Sequence, residues 1–137
     1  MILSRLDGTV LELDMDTYTD NGQTTIRERI TAPINAATLG LNGGRLTMKR
    51  AEIIMESGVG NLDEAVPKVM MSVSTDFGQS SGNEQWISAG RAGENDLRVE
   101  YYNMKTFRQL QVKIRTSDPN FFNFHSLALD VRVSGGF

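Results

Sequence analysis

His125 is the only histidine in the chain, so any serine–histidine–aspartate machinery must be built on it. It lies in Phe124-His-Ser-Leu127, inside an aromatic run of strand character, and no serine occupies a Gly-x-Ser-x-Gly elbow. A packed or half-exposed structural histidine is the expectation. Asp76, Glu84, Glu94, Asp96 and Glu100 are the raw material for a glycosidase pair, which needs two acids at a defined separation. No nucleophile, base and orienting group can be assembled around them from sequence, so no catalytic residue is assigned and no enzyme is expected.

The run Asp14-Met-Asp16-Thr-Tyr-Thr-Asp20-Asn-Gly22 sets carboxylates at alternating positions, as a hard cation requires. It lacks the glycine at the sixth position and the closing glutamate of an EF-hand loop. Asp and Asn also favour turns, because their side chains bond nearby backbone. Asp14, Asp16 and Asp20 are thus a calcium candidate in outline only; a solvated turn is preferred, with no metal and no cofactor expected. Cysteine is absent, which excludes disulfides and thiolate metal sites.

The elements that would hold these residues are strands. Thirteen glycines and three prolines punctuate intervals of period-two alternation. Leu110, Val112 and Ile114 alternate with Gln109, Gln111, Lys113 and Arg115; Val69, Met71 and Val73 alternate with Met70, Ser72 and Ser74. Leu97, Val99 and Tyr101 form another such set, and Leu127, Leu129, Val131 and Val133 a fourth. Leu46 and Met48 have the opposite parity to Ala51, Ile53 and Met55, which predicts a bulge near Lys49-Arg50 that keeps all five in the core. Phe122 and Phe124 require a second bulge around residues 123–126. Asp7-Gly8 and Asn21-Gly22 are hairpin turn signals, and residues 103–106 are expected to join two strands. Asp118-Pro119 fixes a further turn. One helical turn is expected at residues 35–39. The reading is all-β: an antiparallel, jelly-roll-like β-sandwich of about 8–9 strands with almost no helix.

Adjacent Phe121 and Phe122 cannot share one face of a strand, so one of them faces outward or into a partner unless both faces are buried. By the same outward parity, Phe121, Phe122, Tyr102 and Arg132 are the candidate interface residues.

The chain has 137 residues, 39% of them hydrophobic and 23% charged, which suits one domain with its own core. A net charge of -3 argues against a nucleic-acid partner, whose footprint is basic. No window approaches the roughly 18 apolar residues of a membrane span, and the N-terminus lacks the apolar core of a signal peptide. Synthesis and assembly in a cytoplasm are expected.

Ser74-Thr-Asp76-Phe-Gly78 followed by Trp86 resembles the Ser-x-Asp-x-Gly…Trp turn of Asp-box hairpins, with a longer separation to the tryptophan. That resemblance assigns Asp76, Gly78 and Trp86 to holding a turn, the ring packed beneath it; Asp118 and Pro119 are given a similar structural role. A larger pattern runs from Leu11-Glu-Leu-Asp14 and Tyr18-Thr-Asp20-Asn-Gly22 through Ile26-Arg-Glu-Arg29, Glu52 and Met55-Glu-Ser-Gly58-Val-Gly60. It continues through Pro67, Met71-Ser-Val-Ser74, Gly90-Arg-Ala-Gly93-Glu94, Arg98-Val99 and Arg115-Thr-Ser-Asp118-Pro119. In that order, over nearly the whole chain, it resembles the C-terminal portion of tail-hub proteins of short-tailed bacteriophages, a family that includes packaged-DNA stabilisation proteins.

The resemblance implies a non-enzymatic virion component of a phage or prophage tail, or head-to-tail connector, made in the bacterial host cytoplasm. Its partners would be other copies of itself in a ring and neighbouring tail or portal-adaptor proteins, with no membrane and no sequence-specific nucleic acid. Family members carry a β-propeller upstream, and the opening residues look like a final propeller strand pair. Residues 1–137 are therefore read as one β-sandwich domain, with residues 1–16 as a hairpin remnant of an upstream domain. The alternative is a carbohydrate-binding β-sandwich module, such as the receptor-binding part of a tail, using Trp86 and Tyr102 as a sugar platform.

Overall fold

A computed structural model describes residues 2–4, 6–14, 17–56, 66–91, 93–94, 98–118 and 122–135. Twelve strands and no helix occur among them. The expected count of eight or nine is exceeded mainly by short strands that alternation cannot reveal: β3 (Thr19–Asp20), β4 (Gln23–Thr24) and β6 (Ile34–Asn35). The expected helical turn at 35–39 is a single turn, closed by the Leu39 amide on the Asn35 carbonyl at 3.3 Å and tied by reciprocal bonds between Asn35 and Thr38, that does not extend into a helix.

Two antiparallel sheets form the sandwich. The first is ordered β10 (Val99–Phe107), β7 (Arg45–Met55), β12 (Phe124–Gly135). The second is ordered β5 (Arg27–Ile30), β11 (Gln109–Thr116), β8 (Lys68–Ser74), β9 (Gln85–Ser88), with β6 also paired to β11. The remaining strands, β1 (Ile2–Ser4) with β2 (Val10–Glu12) and β3 with β4, are separate hairpins built on the two turn signals. Asn21 and Gly22 both have positive φ, the pair of left-handed residues that a two-residue hairpin turn requires.

The expected bulge in β7 is present. Arg50 pairs with Asp130 and Met48 with Val131, so Lys49 is the extra residue on that side. Leu46 and Met48 on one side of it, and Ala51 and Ile53 on the other, are all buried in one core. The second bulge falls at His125, between the Phe124–Met55 and Ser126–Ile54 pairs. Facing β7 across the interior are Val69, Met71 and Val73 of β8 and Leu110, Val112 and Ile114 of β11. Tyr101, fully buried, donates its hydroxyl to the Val69 carbonyl at 2.7 Å and so ties the two sheets through the core. Desolvation, then the charge of Glu84, pushes its phenol well above the usual range.

Three expectations are corrected. Residues 103–106 are not a connection: β10 runs on to Phe107 with a register shift between Tyr102 and Lys105, and the chain changes sheets at Arg108. Pairing with β7 outweighs the local turn character of Asn103. Val133 is 56% exposed, and Leu127, Leu129 and Val131 are only half-buried, because the two sheets stand open along the β12 edge. By contrast Met70, Ser72 and Ser74, expected on the polar face of β8, are buried, since on that face they are paired with the long side chains of Arg115, Lys113 and Gln111 of β11, with Trp86 of β9 on the other side of Met70. Leu97 lies outside the described residues.

The bulge yields a sharp expectation. Deleting Lys49 removes the extra residue and leaves Leu46, Met48, Ala51 and Ile53 in one regular alternation on the buried face. The deletion should therefore keep cooperative urea unfolding, and Lys49→Ala should stay within about 0.5 kcal/mol of the parent; loss of the cooperative transition on deletion would contradict the bulge assignment.

Candidate functional site

The loop between β8 and β9 is organised by one carboxylate. The Ser74 hydroxyl donates to Asp76 Oδ1 at 2.6 Å and accepts from the Gly78 amide at 2.9 Å. The Ser80 amide donates to Asp76 Oδ1 at 2.9 Å, and the Ser80 hydroxyl to Oδ2 at 2.5 Å. The Gly82 amide closes the loop base on the Val73 carbonyl at 2.8 Å. Hydrogen bonds from the Ser74 and Ser80 hydroxyls, then from the Ser80 amide, hold the Asp76 carboxyl down at about 2. Gly78 has φ +81, and a Cβ there would meet Gln111 Oε1 at 3.3 Å.

At the tip of this loop stands Phe77, 72% exposed, with φ 59. Left-handed backbone at a bulky residue costs on the order of 1–2 kcal/mol. Sequence reasoning passed over Phe77: the Asp-box pattern treats the residue between aspartate and glycine as free, and nothing in residue type announces a positive φ.

Trp86 is not packed beneath that turn, contrary to the Asp-box reading. It pairs with Met70, away from the Ser74 end of β8, because residues 75–84 all intervene before β9 begins. Its ring is 59% exposed on the outer face, its Nε1 donates to Glu84 Oε1 at 3.1 Å, and Lys68 Nζ lies 5.7 Å from its centroid. Arg115 bridges Glu84 at 3.4 Å and Glu28 at 3.6 Å in the same row. Asp118 does tie elements together: its carboxylate accepts the Lys68 amide at 2.5 Å, and its carbonyl accepts Arg27 Nη2 at 2.7 Å. Pro119 lies outside the described residues.

The three candidate interface residues that are described, Tyr102, Phe122 and Arg132, do not cluster. Tyr102 is 66% exposed, and its hydroxyl donates to Glu100 Oε2 at 2.8 Å, which raises the phenol through that bond and the carboxylate charge. Arg132 is exposed on β12. Phe122 is half-buried against the core with the Arg27 guanidinium 5.8 Å from its ring, and Phe121 lies outside the described residues. Trp86 and Tyr102 sit on the outer faces of different sheets and do not share a flat platform.

A cavity of about 470 Å³ opens between the sheets at their β5–β12 edge. Arg27 and Arg29, two apart and opposite Thr116 and Ile114, line it from the inner face of β5, with Phe122 and Phe124 on the facing wall. Sequence analysis named Ile26 to Arg29 only as part of a motif; that both guanidiniums share this mouth depends on the pairing of β5 with β11.

The residues that could do chemistry stay apart. His125 is exposed at its bulge, and among the described residues nothing hydrogen-bonds it. Glu94 accepts the Arg91 amide at 2.7 Å, and Glu100 pairs with Arg50 at 3.1 Å. Asp96 and Asp16 lie outside the described residues. Asp14 and Asp20 do line one surface depression, where Asp14 accepts the Thr17 hydroxyl at 2.6 Å. No group of three or more metal-binding side chains occurs among the described residues.

Residues 33–132 match the family model described as the β-sandwich of bacteriophage P22 Gp10. No curated protein matches the chain. The model covers well over half of the sequence, and the chain belongs to this family.

The Asp76 geometry fixes a pH signature. Its folded pKa, about 2, lies below the ordinary 3.8, so its contribution is present above the latter and is lost as pH falls toward the former. The urea midpoint of Asp76→Asn should lie below that of the wild type at neutral pH, and the gap should close between about pH 5 and pH 2. A gap independent of pH would contradict the assignment.

Proposed function

We propose that this member of the P22 Gp10 β-sandwich family is a non-enzymatic structural component of a bacteriophage or prophage tail, or of its head-to-tail connector. The family match over residues 33–132 carries the reading. A catalytic role would need acids, bases and nucleophiles brought together; here the carboxylates that look free in sequence are engaged in loop and surface ion-pair geometry.

Assembly through sheet edges supplies the mechanism. Among the described strands β12 is the longest and pairs only with β7, so its other side presents unpaired backbone groups among the described residues. A long open edge invites pairing with another chain, and proteins that keep one generally cover it. Copies of this chain in a ring, contacting neighbouring tail or portal-adaptor proteins, would do so, and ring symmetry multiplies each weak contact. The β1–β2 hairpin pairs with no strand of the sandwich, which supports reading residues 1–16 as the remnant of a separate unit.

Mass spectrometry of density-purified phage particles tests the function. The account expects peptides of this chain at a small fixed ratio to the portal, and the ratio gives the ring symmetry. Absence from intact particles that contain the portal would overturn the reading.

A further inference from the structure

We propose that Phe77, on the Asp76-locked loop of one copy, docks into the arginine-lined mouth between β5 and β12 of a second copy. The inference rests on the assembly reading above and names the contact that would produce it.

The two surfaces are distinct patches of one sandwich. The β8–β9 loop leaves β8 beside Gln111 of β11, whereas the mouth lies at the β5–β12 edge. A contact between unlike patches is head-to-tail, the kind that closes into rings when its rotation allows.

Chemistry matches the surfaces. Residues 75–84 carry no lysine, arginine or histidine, and with Glu84 engaged by Arg115 and Trp86 the charge of the tip is that of the exposed Asp76. The mouth presents Arg27 and Arg29 over Ile26, Ile114, Phe122 and Phe124. Arg27 is held by Asp118 and lies against the Tyr18 and Phe122 rings, while Arg29 makes no hydrogen bond or ion pair among the described residues. Glu28 borders the mouth, but its carboxylate is drawn to Arg115, and Glu56 reaches the rim only through the Asn123 amide at 3.4 Å. An anionic aromatic tip therefore meets a cationic aromatic cavity. Aromatic anchors seated in such pockets dominate interfaces, and the locked loop loses little freedom on binding. The Ser74, Gly78 and Ser80 hydrogen bonds hold Phe77 in its left-handed backbone, and its exposed ring is left to be buried by a partner.

Sedimentation velocity across a concentration series, with thermal unfolding of the same samples, tests the proposal. Wild type should assemble beyond the dimer. Phe77→Asn places a residue tolerant of positive φ at the tip, so it should melt at a higher temperature yet associate at least about tenfold more weakly. Arg29→Glu should associate as weakly, with its fold intact by circular dichroism, and Arg29→Ala less severely. An equimolar mixture of Phe77→Asn and Arg29→Glu restores one intact contact per pair and should give dimers and nothing larger. Wild type that stays monomeric, variants that assemble normally, or a mixture that stays monomeric while wild type assembles would each overturn the contact. Incorporation into particles separates the two levels. Phe77→Asn present at the wild-type copy number sinks this inference alone, whereas wild type absent from particles sinks the proposed function.

Discussion

A strand has a side-chain period of two, and the central strand β7 must face one core along its whole length with a sequence that changes parity halfway. The extra residue at Lys49 resolves that conflict. It lets Leu46 and Met48 share an interior with Ala51 and Ile53, and β10 and β12 pair with β7 on either side of the same irregularity. The inner face so created is what β8 and β11 pack against, and it is where the Tyr101 hydroxyl reaches the Val69 carbonyl. Without the bulge, half of the sandwich interior would be Thr47 and Lys49 instead of Leu46 and Met48.

Much of this was legible because it is local. Alternation in β8, β11 and β12, the two bulges and the turns at Asp7-Gly8 and Asn21-Gly22 all follow from residue order and the pleat. The failures share a physical origin, which is dependence on partners distant in sequence. Residues 103–106 have turn composition, yet pairing with residues near Met48 keeps them in a strand. Ser72 and Ser74 look solvent-facing until β8 is known to lie between β11 and β9. Trp86 was placed by a motif whose spacing it does not keep.

The site was less legible than the fold. Tyr102 and Arg132, chosen by outward parity, are exposed, but parity carries no information on which exposed residue is held rigidly or meets a partner. Rigidity comes from Asp76, whose bonds to Ser74 and Ser80 fix the loop and leave Phe77 in a conformation that sequence does not signal. The sandwich is thus asymmetric: the Asp76-locked loop carries a stiff aromatic tip, and the β5–β12 edge stands open and cationic. That asymmetry, more than any titratable group, is the feature an assembling subunit needs.

The central claim is that this sandwich is a building block of a phage tail. Electron cryomicroscopy of intact particles tests it most directly. The account predicts density for the sandwich repeated in a closed ring within the tail, each copy's β5–β12 edge turned toward the β8–β9 loop of the next. Particles whose tail density is fully accounted for by other chains, with no place for this fold, would contradict it.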